Sequence, residues 1–274
     1  MISYKKIFEG IIIPGVVNMP SYDKVKNMMF QYGNQARTLI ENKADRIKFV
    51  HDWNNLHLEI VKSLNKAFEN VHTNIEKVDF RFDPDRSIDS SRSGVASGRY
   101  FHDEHRVRIN LAGNLMTSSY MSNVVMFKMF WTSLKFRFEH ELIHNEQMSR
   151  SKRVTSSMYK GNEREYLSNK KEIMTNAYEA AKKFSNSIST VRAIRSLGNM
   201  KLLLNVAKMS GNTAFEKYVR LFDMSGEVMK TFMRYIYGYL MEFRKKEMQA
   251  SAQKYTDEFE KDAKEATDRR NANV

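Results

Sequence analysis

The sequence predicts a mainly α-helical protein with a small β-sheet, an α+β fold. Proline and glycine, which interrupt helices, number only 3 and 11 among 274 residues. Apolar residues recur at intervals of three and four over most of the chain, which is the period of a helix with one buried face. Strict alternation of apolar and charged residues is confined to a stretch between residues 76 and 112, and this is the only region that resembles sheet.

Composition limits the kind of protein this is. Hydrophobic residues make up 42% and charged residues 28%, as in ordinary globular proteins, and the length suits one large domain or two small ones. Cysteine is absent, so any metal must be held by His, Asp or Glu. The first residues do not read as a signal peptide because Glu9 interrupts the apolar run and Pro14 follows it. No apolar stretch reaches membrane-spanning length. We therefore expect a cytoplasmic location, in a cell or in the host of a virus, and no membrane partner.

The N-terminal part, residues 21–74, has the apolar spacing of helices. Ser21 or Asp23 could cap the first of them, and Gly33 predicts a break. One apolar stripe at helical spacing is predicted to belong to the core: Phe49, Trp53, Leu56, Ile60 and Leu64.

The predicted sheet follows. Apolar and charged residues alternate from residue 78 to 82, which indicates a strand that ends at Pro84. The polar segment 85–98 is predicted to be a loop. Residues 99–114, RYFHDEHRVRINLAGN, then read as one or two strands.

A long and mostly apolar helix is predicted from about residue 121 to 150, with Ser122 or Asn123 as its cap. A basic, serine-rich loop at 151–166 follows. Ser168 or Asn169 then caps another helix.

The remaining chain is predicted to be helical from about Thr190, with breaks near Gly198 and Gly211. From Lys245 onward nearly all residues are charged or small, which is typical of a solvated helix with a frayed end.

The segment HELIH, residues 140–144, carries the clearest chemistry. Residues four apart on a helix lie one above the other, so His140 and His144 can point ring nitrogens at one cation. Glu141 lies about 100° round the helix, where its carboxylate can reach a water beside the metal without binding the metal. Leu142 and Ile143 fall on the opposite side and can anchor the helix in the core. This pattern is typical of a catalytic zinc site with its general base. The alternative is two partly exposed histidines on one helix.

A catalytic zinc ion needs a third protein ligand and an open position. Glu172, 28 positions after His144, lies in the first turn of a predicted helix and would complete a His2Glu set. Asn176, one turn further on the same face, could hydrogen-bond a ligand histidine and fix its tautomer. Glu179 is the rival third ligand and is expected to face solvent. No histidine follows His144, which excludes sites that need a third histidine downstream.

A strand of alternating residues, a helix with HExxH and a helix that opens with Glu together resemble a gluzincin-type zinc metallopeptidase. The segment YLSNKKEIMTNAY, residues 166–178, is similar to the third-ligand segment of small HExxH proteins encoded by tailed bacteriophages. The resemblance covers about residues 76–185. It implies that Zn²⁺ is bound by His140, His144 and Glu172, that Glu141 is the base and proton shuttle, and that Asn176 supports the site.

The resemblance also implies that RVRINLAGN, residues 106–114, is an edge strand along which an extended peptide substrate lies. Larger members of the family use a tyrosine or histidine to stabilise the oxyanion. Tyr166 and Tyr178 are the nearby candidates here, with packing as the alternative role for each. The zincin-like core 76–185 is thus expected between helical segments at 1–75 and 186–250, with a charged tail at 251–274.

Four further histidines are interpreted as surface or core-edge residues. His102 and His105 are three apart in the strand region, where they would share a metal only across a turn. His51 and His57 are six apart on a helix and do not share a face.

Three functions are open. The first is a zinc-dependent peptidase acting on a protein or peptide substrate. The second is a helical structural or interaction protein, such as a phage virion or assembly component, with an inactive or structural metal site. The third is a basic nucleic-acid-associated protein, which the formal net charge of +13 suggests although no reading motif is present. The basic loop at 149–164 is where we expect a nucleic acid to bind, and it could instead cover the cleft or be solvated.

Overall fold

The computed structural model describes residues 11–85, 88, 96–101, 104–150 and 162–271. The chain divides into two compact units. The first is Ile12–Ser157, termed the sheet unit, and the second is Met1–Ile11 with Met158–Val274, termed the helical unit. The division after residue 157 falls inside the core segment that the sequence analysis placed at 76–185. Among the described residues, no helix combines the length and apolar character needed to cross a membrane.

The sheet unit contains, in chain order, the following helices and strands: α1 (Tyr22–Glu41), α2 (Arg46–Ala67), β1 (Lys77–Asp83), β2 (Ala96–Phe101), β3 (Arg106–Ala112) and α3 (Val124–Arg150). Within its described residues, the helical unit contains six further helices: α4 (Glu163–Ser168), α5 (Lys170–Ile188), α6 (Thr190–Ser196), α7 (Met200–Ser210), α8 (Thr213–Leu221) and α9 (Glu227–Asn271). The prediction of a mainly helical fold with a small sheet is confirmed.

The three strands form one sheet in the order β1–β3–β2. β3 pairs with β1 in parallel and with β2 in antiparallel orientation. The expectation that residues 106–114 form an edge strand is therefore wrong, because β3 has a hydrogen-bonded neighbour on each side. The polar loop predicted at 85–98 is also too long, since β2 begins at Ala96. Much of the rest of that loop lies outside the described residues.

The apolar face of the sheet packs against α2 and α3. Phe80 of β1 contacts Phe68, which caps α2, with ring centroids 5.1 Å apart. Phe68 in turn stacks on Phe138 of α3 at 5.5 Å, and all three side chains are fully buried. Burial of a side chain of this size contributes about 1.5–3 kcal/mol relative to its exposure. This aromatic contact holds the turn of α3 that precedes His140 against the sheet.

The N-terminal region is helical as predicted, with two differences: Gly33 does not break α1, and part of the predicted core stripe is only half-buried. Ser21, one of the two predicted caps, caps α1 by accepting a hydrogen bond from the backbone N–H of Lys24. Gly33, however, lies inside α1 and does not break it. A Cβ on Gly33 would lie 2.9 Å from Cβ of Met121, so the glycine allows a close approach between α1 and the segment before α3. In the predicted core stripe, Leu56, Ile60 and Leu64 are buried, whereas Phe49 and Trp53 are half-buried.

The helical unit is built around α5, which packs against α9, α6, α7 and α8. Phe184 of α5 contacts Phe215 of α8 with ring centroids 4.9 Å apart, and both are fully buried. The predicted breaks near Gly198 and Gly211 are confirmed, since α6 ends at Ser196 and α7 at Ser210. The predicted loop at 151–166 is wrong at its end, where α4 begins at Glu163, and residues 151–161 lie outside the described part.

Candidate metal centre

The HELIH segment lies in the buried C-terminal half of α3. Asn123, one of the two predicted caps, precedes the helix and accepts hydrogen bonds from the backbone N–H groups of Val125 and Met126 at 2.9 and 3.1 Å. Leu142 and Ile143 are buried, which confirms their predicted role as anchors in the core. His140 and Glu141 are also buried, being 6% and 4% exposed. Ionisable side chains are rarely this buried in a protein without a partner or a function, so this end of α3 calls for a chemical explanation.

The two histidines converge as the four-residue spacing predicts. Nε2 of His140 lies 3.1 Å from Nε2 of His144. Two ring nitrogens at this distance repel each other unless a proton or a cation lies between them. Zinc–nitrogen bonds of about 2.0–2.1 Å in tetrahedral geometry would place the two atoms about 3.3 Å apart. The pair is therefore already spaced as two ligands of one ion.

Gln147 supports the second histidine. Its Oε1 lies 3.0 Å from Nδ1 of His144. An amide oxygen can only accept, so with this amide orientation His144 carries a proton on Nδ1, and Nε2 is the ring nitrogen that can bind a metal. Ligand histidines in metal sites are commonly oriented by such a hydrogen bond. Gln147 was not predicted from the sequence, although it lies three positions after His144 and so on a neighbouring part of the helix surface.

Glu172 occupies the first turn of α5, as predicted. Asn169 caps this helix by accepting a hydrogen bond of 2.9 Å from the backbone N–H of Lys171, which starts the helix just before Glu172. Burial and then the negative charge of Glu172 raise the pKa of the Tyr218 hydroxyl above its ordinary value. Asn176 donates through Nδ2 to the backbone carbonyl of Glu172 at 2.8 Å, so it braces the turn that carries the carboxylate. The supporting hydrogen bond to a ligand histidine was predicted for Asn176. At His144 it is Gln147 that makes this bond, as the acceptor.

Three side chains come together. One donor atom each from His140, His144 and Glu172 lies within 4.8 Å of the other two, and this group could hold a metal ion. It is the one such group of three or more His, Asp or Glu side chains within the described part of the chain. Glu179, the rival third ligand, does not belong to it. The expectation that Glu179 faces solvent is wrong, because it is 9% exposed in the interior of α5.

Glu141, the predicted base, contacts strand β2. Its Oε2 accepts a hydrogen bond of 2.8 Å from the backbone N–H of Tyr100. Its other oxygen lies where a Cβ on Gly98 would be only 2.8 Å away, so the absence of a side chain at Gly98 makes room for the carboxylate. Neither contact was predicted from the sequence, because 41 positions separate Tyr100 from Glu141 and no local pattern joins them.

The other described histidines and tyrosines that were candidates for the site pack against a neighbouring ring, approach a neighbouring hydroxyl or lie at the surface. His57 stacks on Phe82 with ring centroids 4.3 Å apart, and burial lowers its pKa below the ordinary value. His105, with φ of 43°, has its Nδ1 3.3 Å from the hydroxyl of Tyr100. Tyr178 is buried against the ring of Tyr239, as the packing alternative predicted. His51 and Tyr166 are exposed, and His102 lies outside the described residues.

Comparison of the chain with protein-family models, with curated proteins and with solved structures found no match.

Proposed function

We propose that this protein is a zinc-dependent peptidase. The observation that carries the proposal is the convergence of His140, His144 and Glu172, whose donor atoms lie within 4.8 Å of one another. Two imidazole nitrogens and one carboxylate are a ligand set found in catalytic zinc sites, where a fourth position stays open for water or substrate. The 3.1 Å separation of the two Nε2 atoms and the hydrogen bond between Nδ1 of His144 and Gln147 also fit this set.

When bound, zinc would polarise a substrate carbonyl and lower the pKa of a water to near neutrality. Glu141 is the general base. Its carboxylate lies next to His140 along α3 and accepts a proton from the water as the water oxygen attacks the carbonyl carbon. Glu141 then passes this proton to the amide nitrogen as the C–N bond breaks, so that the product leaves as a neutral amine.

The surroundings of Glu141 favour a peptide as substrate. β2 is an edge strand of the sheet, and its Tyr100 N–H points away from β3 towards Glu141. An extended peptide can add to such an edge through backbone groups of β2 other than the Tyr100 N–H, which already bonds Glu141, and this would align a scissile amide with the base. In this proposal the peptide lies along β2, whereas the sequence predicted that it lies along β3.

The experiment that tests the proposal combines metal analysis with a broad peptide-cleavage screen. We expect purified protein to contain about one zinc ion per chain. Glu141→Gln should retain the metal and lose hydrolysis, whereas His144→Ala should lose both. Undiminished hydrolysis by the Gln variant would rule out Glu141 as the base. If no metal binds at neutral pH, the alternative of a helical structural or assembly protein would be favoured.

A further inference from the structure

The face of the sheet that is turned away from α2 and α3 carries a dense set of cations. Strand register places side chains there in three rows: Lys77–Arg106–Phe101, Asp79–Arg108–Arg99 and Arg81–Asn110–Ser97. Five of these nine side chains are cationic, and only Asp79 is acidic. Asp83 and Glu104 flank the rows, which still leaves an excess of two positive charges. The five cations are termed the basic face.

One carboxylate holds three of the arginines. Oδ2 of Asp79 lies 2.9 Å from Arg106 and from Arg108, and 3.1 Å from Arg81. Burial opposes ionisation of Asp79, but the hydrogen bonds and charges of Arg108 and Arg81 outweigh it and lower the pKa of Asp79. Asp79 is therefore ionised at neutral pH and neutralises one guanidinium of the three.

The aromatic ring of Phe101, which lies on the opposite edge strand from Asp79, also contacts three arginines of the basic face. The guanidinium carbons of Arg106, Arg108 and Arg99 lie 4.3, 4.9 and 5.0 Å from its centroid. Cation–π contacts of this kind keep like charges side by side. Arg106 is largely shielded and also pairs with Glu104 at 2.8 Å. The arginines of the basic face are thus ordered before any ligand arrives.

The outermost cations are open to solvent. The side chain of Arg81 is 56% exposed, and Lys77 and Arg99 are also exposed. Arg81 lies on one edge strand and Arg99 on the other, so the accessible charges span the width of the sheet.

We propose that the basic face binds the backbone of a single-stranded nucleic acid. Guanidinium groups match phosphate oxygens in a fork geometry, and four of the five cations are arginines. Single strands bind to surfaces that combine a positive track with planar groups on which bases stack, and both aromatic rings and guanidinium planes serve that role. The major groove of a duplex admits a helix or a two-stranded ribbon, whereas this face is the broad side of a three-stranded sheet. The loop at 149–164, where the sequence led us to expect a nucleic acid, lies mostly outside the described residues, and the proposal does not include it.

The test is fluorescence anisotropy of a labelled oligothymidylate at several salt concentrations, with the double variant Arg81→Gln/Arg99→Gln. Each phosphate contact on a single strand contributes about 0.7 to the slope of log K against log salt. Loss of two contacts should lower the slope by about 1.4 and the affinity at 0.1 M salt by about 25-fold. Both arginines are exposed, and circular dichroism checks that the variant folds.

The matched control is Arg46→Gln/Lys48→Gln, which removes the same charge from exposed positions in the first turn of α2. It should keep affinity within about twofold of the unmodified protein, because long-range steering alone is screened at 0.1 M salt. Equal losses in the two double variants would overturn the proposal, as would failure of the unmodified protein to bind. Tighter binding of a duplex, or equal competition by polyglutamate, would also contradict it. None of these outcomes depends on peptidase activity.

Discussion

The backbone N–H of Tyr100 donates a hydrogen bond of 2.8 Å to Oε2 of Glu141. The bond joins edge strand β2 to the helix that carries both histidines. It leaves Glu141 with a defined orientation in the protein before substrate arrives, since the carboxylate cannot rotate freely without losing this partner. The position of the proposed base therefore depends on how closely β2 approaches α3.

Gly98→Ala should impair this approach. The added Cβ would lie 2.8 Å from Oε1 of Glu141 and 2.9 Å from Cγ of Arg137, so the carboxylate or the strand must shift. We expect a loss of about 1–3 kcal/mol in the free energy of unfolding, as for overpacked sites, and a fall in kcat with metal content unchanged. Urea unfolding, zinc analysis and a peptidase assay measure the three effects.

Gly198→Ala is the matched control, because a Cβ there meets no atom within 4 Å. It should change the free energy of unfolding by less than about 0.5 kcal/mol. A Gly98→Ala protein that is as stable and as active as this control would contradict the proposed close contact.

Gln147→Leu should weaken metal binding. The substitution removes the acceptor that keeps the His144 proton on Nδ1, and the loss of such supporting groups typically costs about 10–100-fold in affinity. Competition with a chromophoric chelator measures the zinc Kd. Gln147→Glu keeps an acceptor at the same position and should restore most of the affinity. A Leu variant with the affinity of the unmodified protein would show that Gln147 has no role in the site.

Glu172→Gln should lower zinc affinity by more than tenfold, because it replaces an anionic oxygen ligand with a neutral amide. Glu179→Gln serves as the control, since it makes the same change on the same helix at a side chain that is equally buried but not part of the group of three. Equal losses in the two variants, measured by the same chelator competition, would mean that Glu172 is not the third ligand.

His57 should make stability depend on pH. Burial lowers its pKa in the folded protein below the ordinary value of 6.5, so the unfolded chain binds the proton more readily. Its contribution to stability is full above about pH 6.5 and decreases as the pH falls from there towards the folded pKa. His57→Phe keeps a ring beside Phe82 and should lose less stability between pH 7 and 5 than the unmodified protein does. Thermal unfolding at each pH provides the measurement.

The sequence by itself determined the local elements. The caps at Asn123 and Asn169, the juxtaposition of His140 with His144, and Glu172 in a first helical turn all follow from contacts within a few positions along one helix. Such contacts depend on helical period and on side chains that satisfy the first N–H groups, and both can be read from neighbouring residues. The alternation in β1 and β3 is local in the same sense.

Only the tertiary structure decided which distant residues meet. β3 lies in the centre of the sheet because it pairs with both β1 and β2, and alternation within a strand does not specify its neighbours. Glu179 is buried because other helices cover α5, and Gly98 and Tyr100 reach Glu141 across 41 or more positions. These contacts are selected by packing and by the need to pair buried polar groups, and those energies depend on the whole fold.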